Sequence, residues 1–324
     1  MEVTQIQLNK GESIAFCCDL HMDSQTPSSR IDDIQVTLIE KMKDIKNKCV
    51  ERNVKHLFFE GDIFNRVACP HSCVNLLGEE FLNFKKEGIE LYSILGNHDI
   101  VRNSLEAIEK SPIQTLFSFG VLKHINLDNR IIFNKKVMVT PVDYTEYPPK
   151  AEENASYNIL LAHMFFDASE LFADERHNLT KEDVKKLGYD LIVLGHDHEE
   201  YEDVIINNCR IIRSGSILRG TANNYNFSRE PKFVVIRDIN DIDSSIEKVV
   251  INHKPYKDIA SEYVINKKQL SSITGLQDVL SNLAEKLAES SETDGDRIFE
   301  IIKSDPDLPS DCRGLLLKYI AENT

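Results

Sequence analysis

Five short polar motifs draw attention because each directly follows an apolar run of the chain. They are Asp19-Leu20-His21, Gly61-Asp62, Gly96-Asn97-His98-Asp99, His163 and Gly195-His196-Asp197-His198. Imidazole and carboxylate side chains together suit Mn, Fe or Zn better than Ca or Mg. A carboxylate can also bridge two cations, which a neutral imidazole cannot do. The set therefore predicts a centre that holds divalent metal ions.

Each motif by itself has an ordinary structural explanation. A lone buried histidine is more often a core residue whose hydrogen bonds are satisfied, and a lone Gly-Asp is usually a turn. A Gly-Asn-His-Asp run also fits a turn between a strand and a helix. However, five of the ten histidines fall within these motifs, each after an apolar run. The ordered set favours the metal centre over five unrelated turns.

The elements that must position these motifs alternate in the first part of the chain. The runs SIAFCC, VKHLFF and IELYSIL predict strands, and apolar residues at helical spacing predict helices over residues 29–52 and 72–87. The order β-α-β-α-β indicates a largely parallel sheet covered by helices. Ligands of such sheets gather beyond the carboxyl ends of the strands, where the motifs stand. The distant motifs are therefore expected to converge.

From about residue 119 the pattern changes, because short strand candidates crowd together. These candidates are VLKHI, RIIF, KVMVTPV, YNILLAH, DLIVLGH, RIIRSG and KFVVIR. They predict a second sheet packed on the first, and thus an α/β fold over residues 1–255. Residues 256–324 carry two helical patterns and one strand-like run, which predict a small α+β appendage.

The net charge is −15 over 324 residues, which argues against a protein that coats nucleic acid electrostatically. The segment Ile205–Arg237 departs from this balance, with six basic residues and one acid. A solvated strand face is the usual explanation, and an anion-binding surface is the sharper one. Since no apolar run suits a signal peptide or a membrane span, we expect a cytoplasmic protein without membrane attachment.

The motif series resembles the calcineurin-like metallophosphoesterases over roughly residues 13–198. The resemblance implies a two-sheet sandwich flanked by helices and two divalent metal ions. It assigns Asp19, His21 and His198 to one ion and Asn97, His163 and His196 to the other. It makes Asp62 the ligand that bridges both ions and His98 a catalytic histidine. Such enzymes hydrolyse phosphate esters by activating a water molecule and stabilising charge on the phosphoryl oxygens.

A narrower resemblance is to SbcD-type nuclease subunits. It lies in Gly61-Asp62-Ile63-Phe64 with Pro70, and in Ser214-Gly215-Ser216-Ile217-Leu218-Arg219 with Pro231-Lys232. It implies a DNA exonuclease or endonuclease of repair, recombination or replication, an SbcC-type ATPase partner, Mn²⁺ as the metal (Fe, Zn or Mg as alternatives), and a capping domain at residues 256–324. A homodimer is compatible with it. Asn65 and Ser214 depart from the pattern, since many of these nucleases carry His or Asp at the first position and Pro at the second.

Four residues complete the predicted site. His98 is expected to protonate the leaving oxygen, and Asp99 either orients its imidazole or caps a helix. Arg213 and Arg219 are expected to contact substrate phosphates, with a purely structural role as the alternative. Two other functions stay open: a phosphatase or phosphodiesterase acting on phosphoprotein or nucleotide, and a metal-free scaffold. The complete ligand set argues against the scaffold.

Overall fold

The computed structural model describes residues 2–100, 105–167, 178–220 and 224–261. The strands are β1 Glu2–Ile6, β2 Ser13–Cys17, β3 Val54–Phe59, β4 Glu90–Ser93, β5 Lys123–His124, β6 Asn129–Phe133, β7 Val137–Val142, β8 Tyr157–His163, β9 Phe165–Asp167, β10 Asn178–Thr180, β11 Leu191–Gly195, β12 Val204–Ile206, β13 Cys209–Ile212, β14 Lys232–Ile236 and β15 Ile246–Val250. The α-helices are α1 Ile34–Glu51, α2 His71–Lys86, α3 Pro112–Ser118, α4 Lys181–Leu187, α5 Asn224–Ser228 and α6 Ile242–Ser245. Short 3₁₀-helices cover Leu105–Lys110 and Tyr256–Asp258.

The strands form two large sheets, as the sequence predicts. One sheet has six strands in the order β15-β14-β2-β3-β4-β5, and β2 to β5 within it are parallel. The other has seven strands in the order β1-β6-β7-β8-β11-β13-β12, with β7, β8, β11 and β13 parallel. The β-α-β-α-β order of residues 13–95 is confirmed, and β14 and β15 extend that sheet by antiparallel pairing.

The two sheets pack face to face through a buried aromatic and aliphatic layer. Phe16 and Phe58 of the six-stranded sheet stack at 5.3 Å between ring centroids, and Phe58 stacks on Tyr92 at 4.9 Å. Ile159 and Val193 of the seven-stranded sheet belong to the same cluster. Alternate residues of each strand face this layer, because successive side chains point to opposite faces of a sheet.

Helices cover the outer faces of both sheets. Ile34, Leu38, Met42 and Ile45 recur at helical spacing in α1 and are buried against the six-stranded sheet. Asp33 caps this helix, because its carboxylate accepts hydrogen bonds from the amides of residues 35 and 36. The helix therefore begins five residues later than the 29–52 pattern suggests. The shorter helix α4 packs on the other sheet through Val184 and Leu187.

The C-terminal prediction lies almost wholly outside the described residues. The proposed appendage covers residues 256–324, of which the structure describes 256–261. Tyr256 is buried there against Phe227, and Arg30 forms an isolated bridge with Ala260. The domain boundary and the α+β character of the appendage stay predictions. None of the described helices combines the length and apolar character that crossing a membrane requires.

Candidate metal centre

The predicted ligands follow strand ends and converge at one edge of the sandwich. Asp19 follows β2, Asp62 follows β3, His163 ends β8 and His196 follows β11. Several turns there have left-handed backbone, with φ of 47° at His21, 50° at Asp62 and 85° at His196. Such conformations are uncommon for residues with a Cβ and persist where the surrounding structure enforces them. The turns aim these side chains inward at a local conformational cost.

Glycines allow the turns to approach one another closely. A Cβ on Gly96 would lie 2.0 Å from Asp62 Oδ1, and one on Gly61 would lie 2.6 Å from His163 Nδ1. A Cβ on Gly195 would lie 2.3 Å from the carbonyl oxygen of Glu60. Three of the motif glycines are thus explained by packing: any side chain there would push the ligands apart.

One group of candidate ligands comprises Asp19, His21 and His198, whose ligand atoms lie within 4.8 Å of one another. The two imidazoles face each other, with Nε2 atoms 2.8 Å apart. His198 Nε2 lies 3.9 Å from Asp19 Oδ2. These are the residues that the resemblance assigns to the first ion.

A second group comprises Asp62, His163 and His196, again within 4.8 Å. His163 Nδ1 lies 2.7 Å from the Glu60 carbonyl oxygen and so must donate to it. That bond leaves Nε2 as the nitrogen that faces the other ligands, and Nε2 lies 3.1 Å from Asn97 Oδ1. Asn97 therefore joins this group, as the resemblance implies for the second ion.

Asp62 lies between the two groups. Its Oδ2 is 3.7 Å from His21 Nε2 and 3.3 Å from His163 Nε2. Oδ1 accepts a hydrogen bond of 2.9 Å from the amide of His98. By hydrogen-bond geometry Oδ2 has no donor among the described residues, although the carboxylate is buried. A buried oxygen facing imidazoles on both sides has the position of a bridging ligand.

The electrostatics of this cluster suit cations. Burial lowers the pKa of His21 and of His196 to about 3, so both imidazoles are neutral and able to act as ligands. Burial would also lower the pKa of His163, but the charges of Asp62 and Asp19 raise it to about 10. The same carboxylate field that holds a proton on a buried imidazole attracts divalent cations. The donor set thus fits a metal pair, while the roles of individual ligands stay predictions.

His98 lies beside these groups and is held by a backbone atom. Its Nδ1 is 2.6 Å from the carbonyl oxygen of Asn65, so Nδ1 donates and Nε2 is the nitrogen left to act. Its ring meets that of His21 edge-on, with centroids 5.0 Å apart. His98 also forms a third compact group with His21 and Asp62, so its position suits either a ligand or an acid.

Asp99 binds backbone amides. Its carboxylate is fully buried and accepts from the amides of Ile63, Phe64 and Gly96 at 3.1–3.3 Å. Burial and the charge of Asp62 raise its pKa to about 7. The carbonyl oxygen of Asn65 stands at His98 Nδ1, the place that Asp99 would take if it oriented the imidazole. In the described structure Asp99 ties the turn after β3 to the turn after β4.

A cleft of about 270 Å³ opens beside the first ligand group. It is lined by His21, Asp23, Gln25, Pro27, Ile34, Asn65, His198, Ser216, Leu218, Gly220 and Asn226. Asp23 accepts from Asn65 Nδ2 at 2.8 Å and from Arg66 Nη2 at 2.7 Å. The sequence singled out Asn65 only as a departure from the SbcD pattern, and neither Asp23 nor Arg66 stands in a recognisable motif.

The segment Ile205–Arg237 contributes residues to the lining of this cleft, but its central arginines are not among them. Arg213 is 8% exposed and Arg219 is 3% exposed. Arg213 stacks over the ring of Tyr201, 4.0 Å from its centroid. Arg219 donates to the carbonyl oxygens of Arg229 and Lys254. Their contact with substrate phosphates stays a prediction, and these internal contacts favour the structural alternative.

Comparisons with known proteins identify the family of the chain. Three solved structures cover 74–75% of the chain: TT1561 of Thermus thermophilus (8% identity, 99% of that chain, TM-score 0.46), a putative 5'-nucleotidase from Staphylococcus aureus in complex with alpha-ketoglutarate (14%, 55%, 0.46), and a dimetal phosphatase from Danio rerio (9%, 100%, 0.48). No curated protein matches the chain. The family model of the calcineurin-like phosphoesterases matches residues 13–200, which include every candidate metal ligand. The chain therefore belongs to the calcineurin-like phosphoesterases, a family of metal-dependent phosphoester hydrolases.

Proposed function

We propose that this phosphoesterase cleaves phosphodiester bonds of DNA, as an SbcD-type exonuclease or endonuclease subunit. The observation that carries the proposal is the charge of the cleft. Among the described residues that line it, the one carboxylate is Asp23, and there is neither lysine nor arginine. Beyond the metal ligands, the lining thus offers a substrate one carboxylate, neutral polar and apolar groups, and no additional positive charge.

This lining favours a diester over a monoester. A phosphate monoester carries a charge of about −1.5 to −2 at pH 7, whereas each diester phosphate carries −1. A monoester therefore needs more positive charge in the cleft to offset its desolvation. Arg66, which lies beside the cleft, is already paired with Asp23. The lack of lysine and arginine in the described lining thus supports the nuclease over the phosphatase or nucleotidase alternative.

The protein's own groups have defined tasks in such a reaction. The residues that would hold the metal pair are Asp19, Asp62, Asn97 and the histidines at 21, 163, 196 and 198. When bound, the pair supplies Lewis acidity to the phosphoryl group and to the attacking water. His98 Nε2 delivers a proton to the leaving oxygen, because Nδ1 is committed to the Asn65 carbonyl.

The partner and metal are part of the same proposal. The local resemblance of residues 61–70 and 214–232 to SbcD-type subunits supports Mn²⁺ and an SbcC-type ATPase. A partner would help explain how a chain with a net charge of −15 works on DNA.

A substrate panel with Mn²⁺ tests the proposal. It compares linear and hairpin double-stranded DNA, bis-p-nitrophenyl phosphate and p-nitrophenyl phosphate, with and without a candidate ATPase, and the His98→Ala protein serves as the blank. We expect cleavage of DNA and a kcat/KM at least ~10-fold higher for the diester than for the monoester, a difference of about 1.4 kcal/mol. Faster hydrolysis of the monoester, with no DNA cleavage, would establish the phosphatase alternative instead.

A further inference from the structure

A second cavity, of about 340 Å³, lies behind one wall of the metal cleft. Residues of α1, the side chain of Arg219 and the chain at 252–254 line it. Leu218 and Gly220 line the metal cleft, whereas Arg219 between them lines this second cavity. The two spaces therefore share a single stretch of backbone as their partition.

Lys41 is the unusual residue of this cavity. It stands on the core-facing stripe of α1 together with Leu38 and Ile45, and it is 3% exposed. Its Nζ has no hydrogen-bond partner, and it forms no ion pair among the described residues. Lysine is almost never fully buried unless it is paired. Burial, together with the charges of Arg219, Arg229 and Arg30, lowers the pKa of Lys41 to about 7.

The neighbouring cations are buried too, but their donors are used. Arg30 pairs with Asp32 through two hydrogen bonds and donates to the Arg219 carbonyl oxygen at 3.0 Å. Arg219 is directed at carbonyl oxygens and stands 5.4 Å from the ring centroid of Tyr256. Arg30 is therefore neutralised by its carboxylate, whereas Arg219 has no carboxylate within ion-pair distance among the described residues.

The acids of the lining do not compensate this charge. Asp44 is bound to Lys48 Nζ at 2.5 Å and to the amide and side chain of Asn252. Glu40 is exposed and forms no ion pair with Lys41. When Lys41 is protonated, two positive charges, those of Lys41 and Arg219, stand without a carboxylate partner among the described residues, beside a cavity large enough for a small ligand.

We propose that this cavity binds a phosphoryl dianion, either orthophosphate or a phosphate monoester, with Lys41 Nζ as its direct donor and Arg219 as the second positive charge. A dianion matches the two uncompensated charges, which a single carboxylate would not. The ammonium group of Lys41 has all three of its donors free for such a ligand. A bound dianion would also fix the Leu218–Gly220 partition from behind. The inference does not depend on which ester the metal cleft cleaves.

The test is binding of orthophosphate to the full-length, metal-loaded protein by isothermal calorimetry. The variants are Lys41→Met, which removes the charge and keeps the length of the side chain, and Lys43→Met, an exposed control on the same helix. Orthophosphate also binds a metal pair, so its inhibition of ester hydrolysis is measured in parallel. We expect Lys41→Met to lose one binding event, or to weaken it by about 10- to 100-fold, with unchanged inhibition at the cleft. Lys43→Met should behave as wild type.

Melting temperatures in phosphate-free buffer guard against misfolding as the explanation. Since the ammonium group is unpaired, Lys41→Met should melt no lower than wild type. Orthophosphate bound in the cavity should raise the Tm of wild type, and Lys41→Met should lack this part of the increase. A nucleoside monophosphate and a single-stranded oligonucleotide form two further arms. Binding of orthophosphate or of the nucleoside monophosphate that depends on Lys41 supports the proposal. Three results would each overturn it. They are equal binding of orthophosphate by Lys41→Met and wild type, a large fall in the Tm of Lys41→Met, and a dependence on Lys41 that is seen only for oligonucleotide binding.

Discussion

The metal cleft and the cavity behind it are opposite in charge, although they share the backbone of Leu218–Gly220. The cleft gathers carboxylates and imidazoles and is suited to cations. The cavity gathers Lys41 and Arg219 and is suited to an anion. Neighbouring residues of this stretch line different spaces, Leu218 and Gly220 the cleft and Arg219 the cavity. A run of basic residues in a sequence therefore does not by itself indicate a basic surface.

The cleft should fail most severely when its bridging carboxylate is removed. Asp62→Ala is expected to lose both metal ions and all measurable activity, since Asp62 Oδ2 lies within 3.7 Å of ligands of both groups. His21→Ala should weaken mainly one site. Elemental analysis of the purified variants gives the metal content, and wild type is the control. Two tightly held ions in Asp62→Ala would contradict the bridging role.

His98→Ala should cost activity without costing metal. A general acid contributes about 10²–10⁴-fold, and that loss in kcat is expected with metal content unchanged. Asn65 holds the imidazole through a backbone carbonyl, so Asn65→Ala should keep this bond and most of the activity. If His98→Ala instead releases one ion, His98 is a ligand and the acid lies elsewhere.

Replacing a buried arginine should lower the stability of the fold and should not weaken DNA cleavage selectively. Arg213→Ala removes a guanidinium stacked on Tyr201, worth about 2 kcal/mol when desolvated. We expect a lower free energy of unfolding, and a parallel loss of activity on DNA and on the small diester. Arg237→Ala is the matched control: it lies in the same segment, is exposed and forms a surface ion pair with Glu247. A salt-dependent loss of activity on DNA alone would instead support the phosphate contact that is predicted from the sequence.

A separate effect, confined to stability, is a pH dependence set by Lys41. Its pKa falls from 10.5 to about 7 on folding, so between these values the unfolded chain binds more protons. Stability should therefore rise with pH across this window, by up to ~1.4 kcal/mol per pH unit, and Lys41→Met should lack the rise. The charged or titratable groups around the ammonium are Arg30, Asp32, Glu40, Asp44, Arg219, Arg229, His253 and Lys254. Urea unfolding at pH 6–9 in phosphate-free buffer measures the difference, and parallel profiles for the two proteins would contradict it.

The fold of the first half follows closely from its sequence pattern. Buried strands and amphipathic helices give strong periodic signals, so α2 and strands β2 to β4 lie close to where they are predicted, and α1 differs mainly in beginning five residues later. The edge strands β1 and β12 give no such signal, because edge strands bury few side chains: Glu2–Gln5 are exposed. Their pairing depends on a neighbour far along the chain, as in β1 with β6. The residues of such a strand therefore do not indicate which strand it pairs with.

The candidate site likewise has residues that the sequence indicates and contacts that it does not. Asp19, Asp62 and His163 are recognisable because chemistry requires their residue types directly after strands. Contacts through backbone atoms leave no trace of this kind, so the Asn65 carbonyl at His98 had no signal. The role of Asp99 is similar, since three backbone amides surround its carboxylate. Lys41 could have been noticed, because it interrupts the apolar stripe of α1.

The central claim is that the cleft hydrolyses phosphodiesters with a pair of divalent ions. Its most direct test is a Mn²⁺ titration of chelator-treated protein, with bound metal and bis-p-nitrophenyl phosphate hydrolysis followed in the same samples. We predict that activity appears with bound metal and reaches its plateau at two ions per chain. Full activity without metal, or a plateau at one ion per chain, would contradict it.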